Sequence, residues 1–271
     1  MDDFATYILG EEDVIQKMVI TYYLSKKTGI FFDKSIVLKA QIAHMFIDFM
    51  KLDVDANLVT TAMLLCNCKK VENAQKIGKL ETYATEGAEY LATMGFNERF
   101  CDICKGVNRY SDDYIRLKES DILEVVDQFV GLVLNRIERE AFSPEEALVI
   151  LKERNLKYVS NQYLDKFIFF IEEMENVNIH EMISVPVIRK LVNLHNREAN
   201  VKTFISVLGN SIVYKIQDAL DNYNRKEFEE IIKKDATETE KVIVNNRQRA
   251  LFSKEIADRI MNHQSRYKVE E

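Results

Sequence analysis

The stretch AMLLCNCKK, residues 62–70, decides the fold class because it ends a strongly apolar helical segment. Asp55 is suited to cap that helix, and apolar side chains recur at helical spacing over residues 58–65. The same amphipathic period recurs along the chain, whereas alternating strand patterns do not occur. Only eight Gly and two Pro are present, so few residues would interrupt helices. The sequence predicts an all-α fold.

Start and stop residues mark the other predicted helices. Gly29 ends a first helix that begins near Val14, in the C-terminal position typical of glycine. Either Asp33 or Ser35 caps the next helix, and Ser143 caps a later one whose first residue is proline. The apolar period predicts further helices over residues 85–94, 97–107, 120–140, 187–194, 201–208, 212–220 and 244–268.

Composition limits the class of protein. A chain of 271 residues with 47% hydrophobic residues can bury one large core, or a core and a smaller unit. The net charge of -7 gives no general reason to expect nucleic acid or an anionic membrane as a partner. No apolar run approaches the roughly 20 residues of a membrane span, and Met1-Asp2-Asp3 opens no signal peptide. Four Cys are too few for a disulfide scaffold, which fits a reducing compartment. These observations together predict a soluble cytoplasmic protein.

Three segments carry a family resemblance, at residues 62–68, 86–96 and 121–151. They are similar to the stretches A-x-L-L-H-D-I, H-P-x-x-G-A-E-x-L…L-G-F and I-L-x-V-A-D-x-F-D-A-L…R-x-x-R…S-P-E-E-A-L-x-x-L of HD-GYP proteins. The third is the most specific, because it keeps the spacing of residues 122–127, Phe129, Leu132, Arg136, Arg139 and residues 143–148.

The resemblance to HD-GYP proteins covers residues 33–175 and implies an HD-like helical bundle. Members of that family hydrolyse cyclic di-GMP at a centre of two or three metal ions. Residues 1–32 are then an N-terminal helical extension, and residues 176–271 a C-terminal helical region. The plain HD and HDOD branches remain open as alternatives, because the span before Asp127 is too short to hold the G-Y-P loop.

The metal ligands that the resemblance implies are largely missing. The His-Asp pair is replaced by Cys66-Asn67, and Tyr83 stands where another His is expected. The first-helix His falls near Ser35, the later His-His pair falls at Gly106-Val107, and only Asp127 remains. One carboxylate cannot hold the metals that would activate water. The departures predict no metal, no cofactor and no catalytic residue.

The remaining His and Cys residues offer two weaker metal sites. His44 lies on the helix of the missing first ligand, but a lone His on an apolar helix usually packs; His180, His195 and His263 are predicted to be surface or cap residues. The pairs Cys66-x-Cys68 and Cys101-x-x-Cys104 could form a four-thiolate zinc site. Buried small thiols are the favoured interpretation, because no zinc-knuckle turn is evident.

Basic residues near the vestigial centre provide an anion-binding hypothesis. Lys69, Lys70, Arg136 and Arg139, with Arg109, could contact a phosphate, since Arg binds phosphate with two hydrogen bonds and Lys with a point charge. Solvated or ion-paired side chains are the competing and favoured interpretation.

Taken together, the sequence predicts a catalytically inactive HD-GYP-like pseudoenzyme that acts as a regulatory or protein-interaction module. The alternatives are a sensor that binds a nucleotide such as cyclic di-GMP without hydrolysing it, and a metal-dependent phosphohydrolase with an atypical site. We expect a protein partner, which the basic residues of segment 244–268 could contact; homo-oligomerisation is left open. Cys66, Tyr83 and Val107 should fill the former cleft, and Asn67 should hydrogen-bond Asp127.

Overall fold

The computed structural model describes residues 2–70, 82–107, 116–136, 139–156, 161–179 and 183–210. Within these ranges the chain forms eleven helices and one short antiparallel hairpin, which confirms the all-α prediction. The helices are α1 Asp2–Gly10, α2 Val14–Thr28, α3 Lys34–Met50, α4 Ala56–Leu65, α5 Thr82–Thr93, α6 Glu98–Lys105, α7 Lys118–Val133, α8 Pro144–Leu156, α9 Leu164–Glu175, α10 Val187–Arg197 and α11 Val201–Leu208. The hairpin strands are β1 Val177–Ile179 and β2 Ile183–Val185, between α9 and α10.

Local capping explains where several helices begin and end. Asp33 Oδ1 accepts a hydrogen bond from the Ile36 backbone N–H at 3.0 Å, so Asp33 is the cap of α3. Asp55 caps α4 in the same way. Gly29 ends α2 with a φ of 72°, in the left-handed region that favours glycine. Ser143 and Glu146 exchange hydrogen bonds at the start of α8, as in a capping box. These boundaries confirm the predictions.

Helix α3 is at the centre of the bundle and packs against α2, α4, α7, α9, α10 and α11. Its Phe46 is fully buried and contacts Phe167 and Phe170 of α9, with ring centroids 5.1 and 5.3 Å apart. Burying one such ring stabilises the fold by about 1.5–3 kcal/mol. A helix with neighbours all around it should be largely apolar, and any charged residue that it buries needs a partner.

The helices at both ends of the described chain share this core. Phe4 and Ile8 of α1 are fully buried, and so are Leu191 of α10 and Phe204 of α11. The predicted helices over residues 187–194 and 201–208 are therefore confirmed. Helix α1 was not predicted. The division into segments 1–32, 33–175 and 176–271 stays a prediction.

The predicted helix over residues 120–140 is wrong at its end, because α7 stops at Val133. Leu134 has extended backbone angles, and a turn follows in which Arg136 and Arg139 pair through their backbones. Arg139 reaches back and donates to the carbonyls of Gly131 and Leu132, at 2.6 and 2.9 Å. These carbonyls belong to the last turn of α7, so the arginine satisfies acceptors that the end of a helix leaves open.

A polar network fixes the start of α7. Arg116 donates to Asp121, to Glu124 and to the carbonyl of Gly106, at 2.8, 3.1 and 2.9 Å. Asn161 donates to Glu124 at 3.0 Å, so the network also ties the segment before α9 to α7. Both carboxylates are buried, and burial is tolerated because each one is paired. This network holds α7 in place for the polar centre described below.

No helix in the described ranges is both long and apolar enough to cross a membrane. Several sequence predictions fall outside these ranges, namely the helices over residues 212–220 and 244–268, the surface positions His180 and His263, and the basic residue Arg109.

Candidate functional site

The polar centre of the bundle is an ion pair between α3 and α7. Lys39 Nζ lies 2.7 Å from Asp127 Oδ1. The Lys39 side chain is 5% exposed and the Asp127 side chain 20%, so the pair is mostly buried but reaches solvent at the carboxylate. Asp127 is the one expected metal ligand that the sequence retains. In the structure an ammonium group of the same chain contacts its oxygen.

Both members of the pair are charged. Burial lowers the pKa of the Lys39 ammonium, but the charge of Asp127 and its hydrogen bond, together with the charge of Asp33, raise it, and the net pKa lies above the usual value. Burial raises the pKa of Asp127, but the ammonium groups of Lys39 and Lys70 and the hydrogen bonds from Lys39 and Asn67 bring it below its usual value. The carboxylate is therefore already neutralised from within the chain.

Asn67 forms the third member of this centre. Its amide Nδ2 donates to Asp127 Oδ1 at 3.4 Å, which confirms the predicted hydrogen bond. Asn67 is fully buried, and its amide oxygen has no hydrogen-bond partner among the residues that the structure describes. The turn that carries it follows α4 directly and is held by the Phe31 N–H, which donates to the Cys68 carbonyl at 2.8 Å.

The positions predicted to fill the former cleft are buried. Cys66 is 0% exposed, Val107 2% and Tyr83 6%. Cys66 is fully enclosed beside the ion pair, and its sulfur lies 3.6 Å from Asn67 Nδ2. Cys66, whose neutral thiol is a poor ligand for hard metal ions, is therefore packed at this centre.

The four cysteines are buried thiols. Burial raises the pKa of the Cys66, Cys101 and Cys104 thiols, so the protonated form is favoured. Zinc binds the thiolate form, so zinc binding here would have to displace the protons of these thiols. In the described ranges no group of three or more His, Cys, Asp or Glu side chains is arranged to hold a metal ion.

Lys70 is the basic residue that the structure brings to this centre. It is partly buried, its ammonium lies 5.8 Å from the centre of the Tyr83 ring, and no carboxylate of a described residue forms an ion pair with it. Burial lowers its pKa, and the neighbouring Lys39 charge lowers it further. The charges of Asp127 and Asp33 raise the Lys70 pKa, but they do not offset burial and the charges of Lys39 and Arg136.

The other three predicted anion-binding residues each contact a ring or a backbone group. The Lys69 ammonium lies over the Tyr90 ring, 4.5 Å from its centre. Arg139 donates to backbone carbonyls of α7 and stacks on Phe142. Arg136 is exposed, and its guanidinium lies against Gly131, where it would come within 2.6 Å of an added Cβ atom. Arg136 is nevertheless close enough to Lys70 for its charge to lower the Lys70 pKa, and the anion-binding site stays a prediction.

His44 is also engaged away from the centre. Its Nε2 lies 3.1 Å from an Asp48 oxygen, one turn later on α3. His195 packs its ring against Phe204, with centroids 5.5 Å apart. Ser35, near the expected first-helix His, donates to Asp33 at 2.7 Å and belongs to the cap of α3.

Lys39 is the residue that the sequence predictions missed. The apolar period of α3 predicts its buried face, and a lysine within a helix is ordinarily assigned to solvent. The available signal is its position one turn after Ser35, on the helix where the first metal ligand was expected. A lysine near a missing metal ligand and a retained carboxylate could have been considered as an internal counter-ion.

No family model, curated protein or solved structure matches this chain. The HD-GYP resemblance is carried by the motif residues alone and stays a prediction.

Proposed function

We propose that this chain is a non-catalytic module with an HD-like scaffold, which acts in regulation or protein interaction. The observation that carries the proposal is the Lys39–Asp127 ion pair, 2.7 Å long, at the position where the resemblance expects a metal-bound carboxylate. A lysine ammonium supplies the positive charge that the carboxylate needs in a buried place. It cannot polarise a phosphoryl oxygen as a Lewis acid or lower the pKa of a bound water.

The surroundings of the pair support this role. A divalent cation at Asp127 would have to displace or approach the Lys39 ammonium, and like charges repel strongly where water is largely excluded. Asn67 is a neutral amide and Cys66 a neutral, buried thiol, so neither replaces the lost ligands well. The residues present do not fit a dinuclear centre.

Activity measurements test this proposal. Purified protein is incubated with cyclic di-GMP and with a generic phosphodiester, each with and without added Mn²⁺. We expect no turnover above that of the Asp127→Asn variant. Metal-dependent turnover in the wild type that Asp127→Asn abolishes, in protein that keeps its helical circular dichroism, would favour the atypical phosphohydrolase and contradict the proposal.

A second candidate is a nucleotide sensor that binds without hydrolysis. Lys70 favours it, because this partly buried lysine has no ion-pair partner among described residues and lies close enough to Lys39 and Asp127 for their charges to shift its pKa. An anionic phosphate would offset that excess charge.

The neighbouring lysine provides a matched control for this candidate. Cyclic di-GMP is titrated into the wild type, Lys70→Met and Lys69→Met by calorimetry. If the sensor hypothesis holds, Lys70→Met weakens binding about tenfold, the effect of one charge-assisted hydrogen bond, and Lys69→Met does not. Absence of binding to the wild type, or equal losses in both variants, would rule out this assignment of Lys70.

A further inference from the structure

Gln41 is fully buried in the middle of α3. Neither its amide nitrogen nor its amide oxygen has a hydrogen-bond partner among the described residues, and no other buried side chain there has two such atoms. An unpaired polar group in a protein interior costs about 1–3 kcal/mol. Buried amides in folded proteins are nearly always hydrogen-bonded, to protein or to ordered water.

Gln41 belongs to a polar row that is separate from the Lys39 centre. Lys34, Gln41 and Asp48 are spaced seven residues apart, so they lie along one side of α3, about 160° around the helix from Lys39. The Lys34 ammonium donates to the carbonyls of His195 and Glu198, at 2.8 and 2.7 Å. That end of the row therefore faces the last turn of α10.

The other end of the row is also polar. Asp48 pairs with His44 at 3.1 Å, and burial raises the pKa of the Asp48 carboxyl to about 6. Gln41 lies between these two ends, on a helix against which both α10 and α11 pack. Lys34, Gln41 and Asp48 thus form a polar row along one side of α3, and Lys34 links that side to α10.

We propose that Gln41 anchors an internal water site in this row. Water matches the chemistry, because it both donates and accepts and so satisfies the amide oxygen and the amide nitrogen. A bound ion fits less well, since a neutral amide offers no compensating charge. The site goes beyond the proposed function and makes the packing of the C-terminal helices on α3 partly water-mediated.

Nuclear magnetic resonance on the full-length protein tests the site directly. The side-chain NH₂ of Gln41 is assigned by its loss in Gln41→Met, and cross-relaxation with water is measured in the wild type. We expect cross-peaks from a long-lived water molecule to both amide protons. Their absence would overturn the proposal.

The stability of Gln41→Met gives an independent outcome. Methionine has a similar volume and no hydrogen-bonding demand. If the amide is hydrated, its removal also removes its hydrogen bonds, and the unfolding equilibrium constant changes by less than about tenfold. If the amide is dry, the substitution relieves an unpaired group, and the folded state gains more than about tenfold. That gain would contradict the water site.

Discussion

Replacing Lys39 should destabilise the protein mainly by leaving Asp127 without its counter-ion. Removing one partner of a buried ion pair costs about 3–5 kcal/mol. The Asp127 side chain keeps 20% of its exposure, so some solvation persists, and we expect the lower end of that range, about 3 kcal/mol, for Lys39→Met. Asp127→Asn should cost at least as much, because the Lys39 side chain is only 5% exposed.

The double variant Lys39→Met with Asp127→Asn removes both charges at once. Because neither charge is then left buried alone, we expect it to be more stable than either single variant, with a coupling energy of at least about 2 kcal/mol. Urea unfolding followed by circular dichroism measures all three changes, with the m-value as a check on the unfolded state. The partly exposed pair Lys105 and Asp102, 3.0 Å apart, serves as the control, for which we expect less than about 1 kcal/mol of coupling. Additive single effects at Lys39 and Asp127 would refute the account of an internal counter-ion.

Three further predictions concern other buried or capping side chains. Lys17 is 1% exposed, and burial lowers its pKa from 10.5 to about 8. The unfolded chain therefore binds the proton more tightly than the folded protein does. The free energy of unfolding should rise between about pH 8 and pH 10.5, by about 3 kcal/mol in total. Lys17→Met should remove that pH dependence, as measured by urea unfolding across this pH range; an unchanged slope would contradict the burial of a charged lysine. Val107→Ala should destabilise by about 1–2 kcal/mol through a small cavity, and a smaller loss in thermal unfolding would show that Val107 is not closely packed. Arg139→Met should destabilise the protein by about 1–3 kcal/mol, because its hydrogen bonds to the carbonyls of α7 are lost. Arg136→Met should cost less than about 1 kcal/mol. Equal effects of the two substitutions in urea unfolding would argue against the distinct role of Arg139.

The parts of the fold that local interactions determine could be predicted from the sequence. The cap residues Asp33 and Asp55 and the terminal Gly29 act on backbone groups within a few positions of themselves, so their roles are visible in the chain. The hydrogen bond between Asn67 and Asp127 was predicted from the family resemblance, because it joins two positions expected to meet.

Long-range side-chain partners could not be predicted in the same way. Lys39 is buried because Asp127, on another helix, compensates its charge, and nothing near Lys39 in the sequence shows that. The end of α7 depends on Arg139, which folds back from the following turn onto carbonyls of the last helical turn. The partners of Lys69 and Arg139, the Tyr90 ring and the carbonyls at the end of α7, could not be predicted for the same reason.

The metal content of the purified protein tests the central claim most directly. The wild type is incubated with Mn²⁺, Fe²⁺ or Zn²⁺, freed of unbound metal and analysed for stoichiometry, beside Asp127→Asn. Because the Lys39 ammonium already neutralises Asp127, we expect less than one tightly bound metal ion per chain and no difference between the two proteins. One or two ions per chain in the wild type, lost in Asp127→Asn while the fold is retained, would contradict the account.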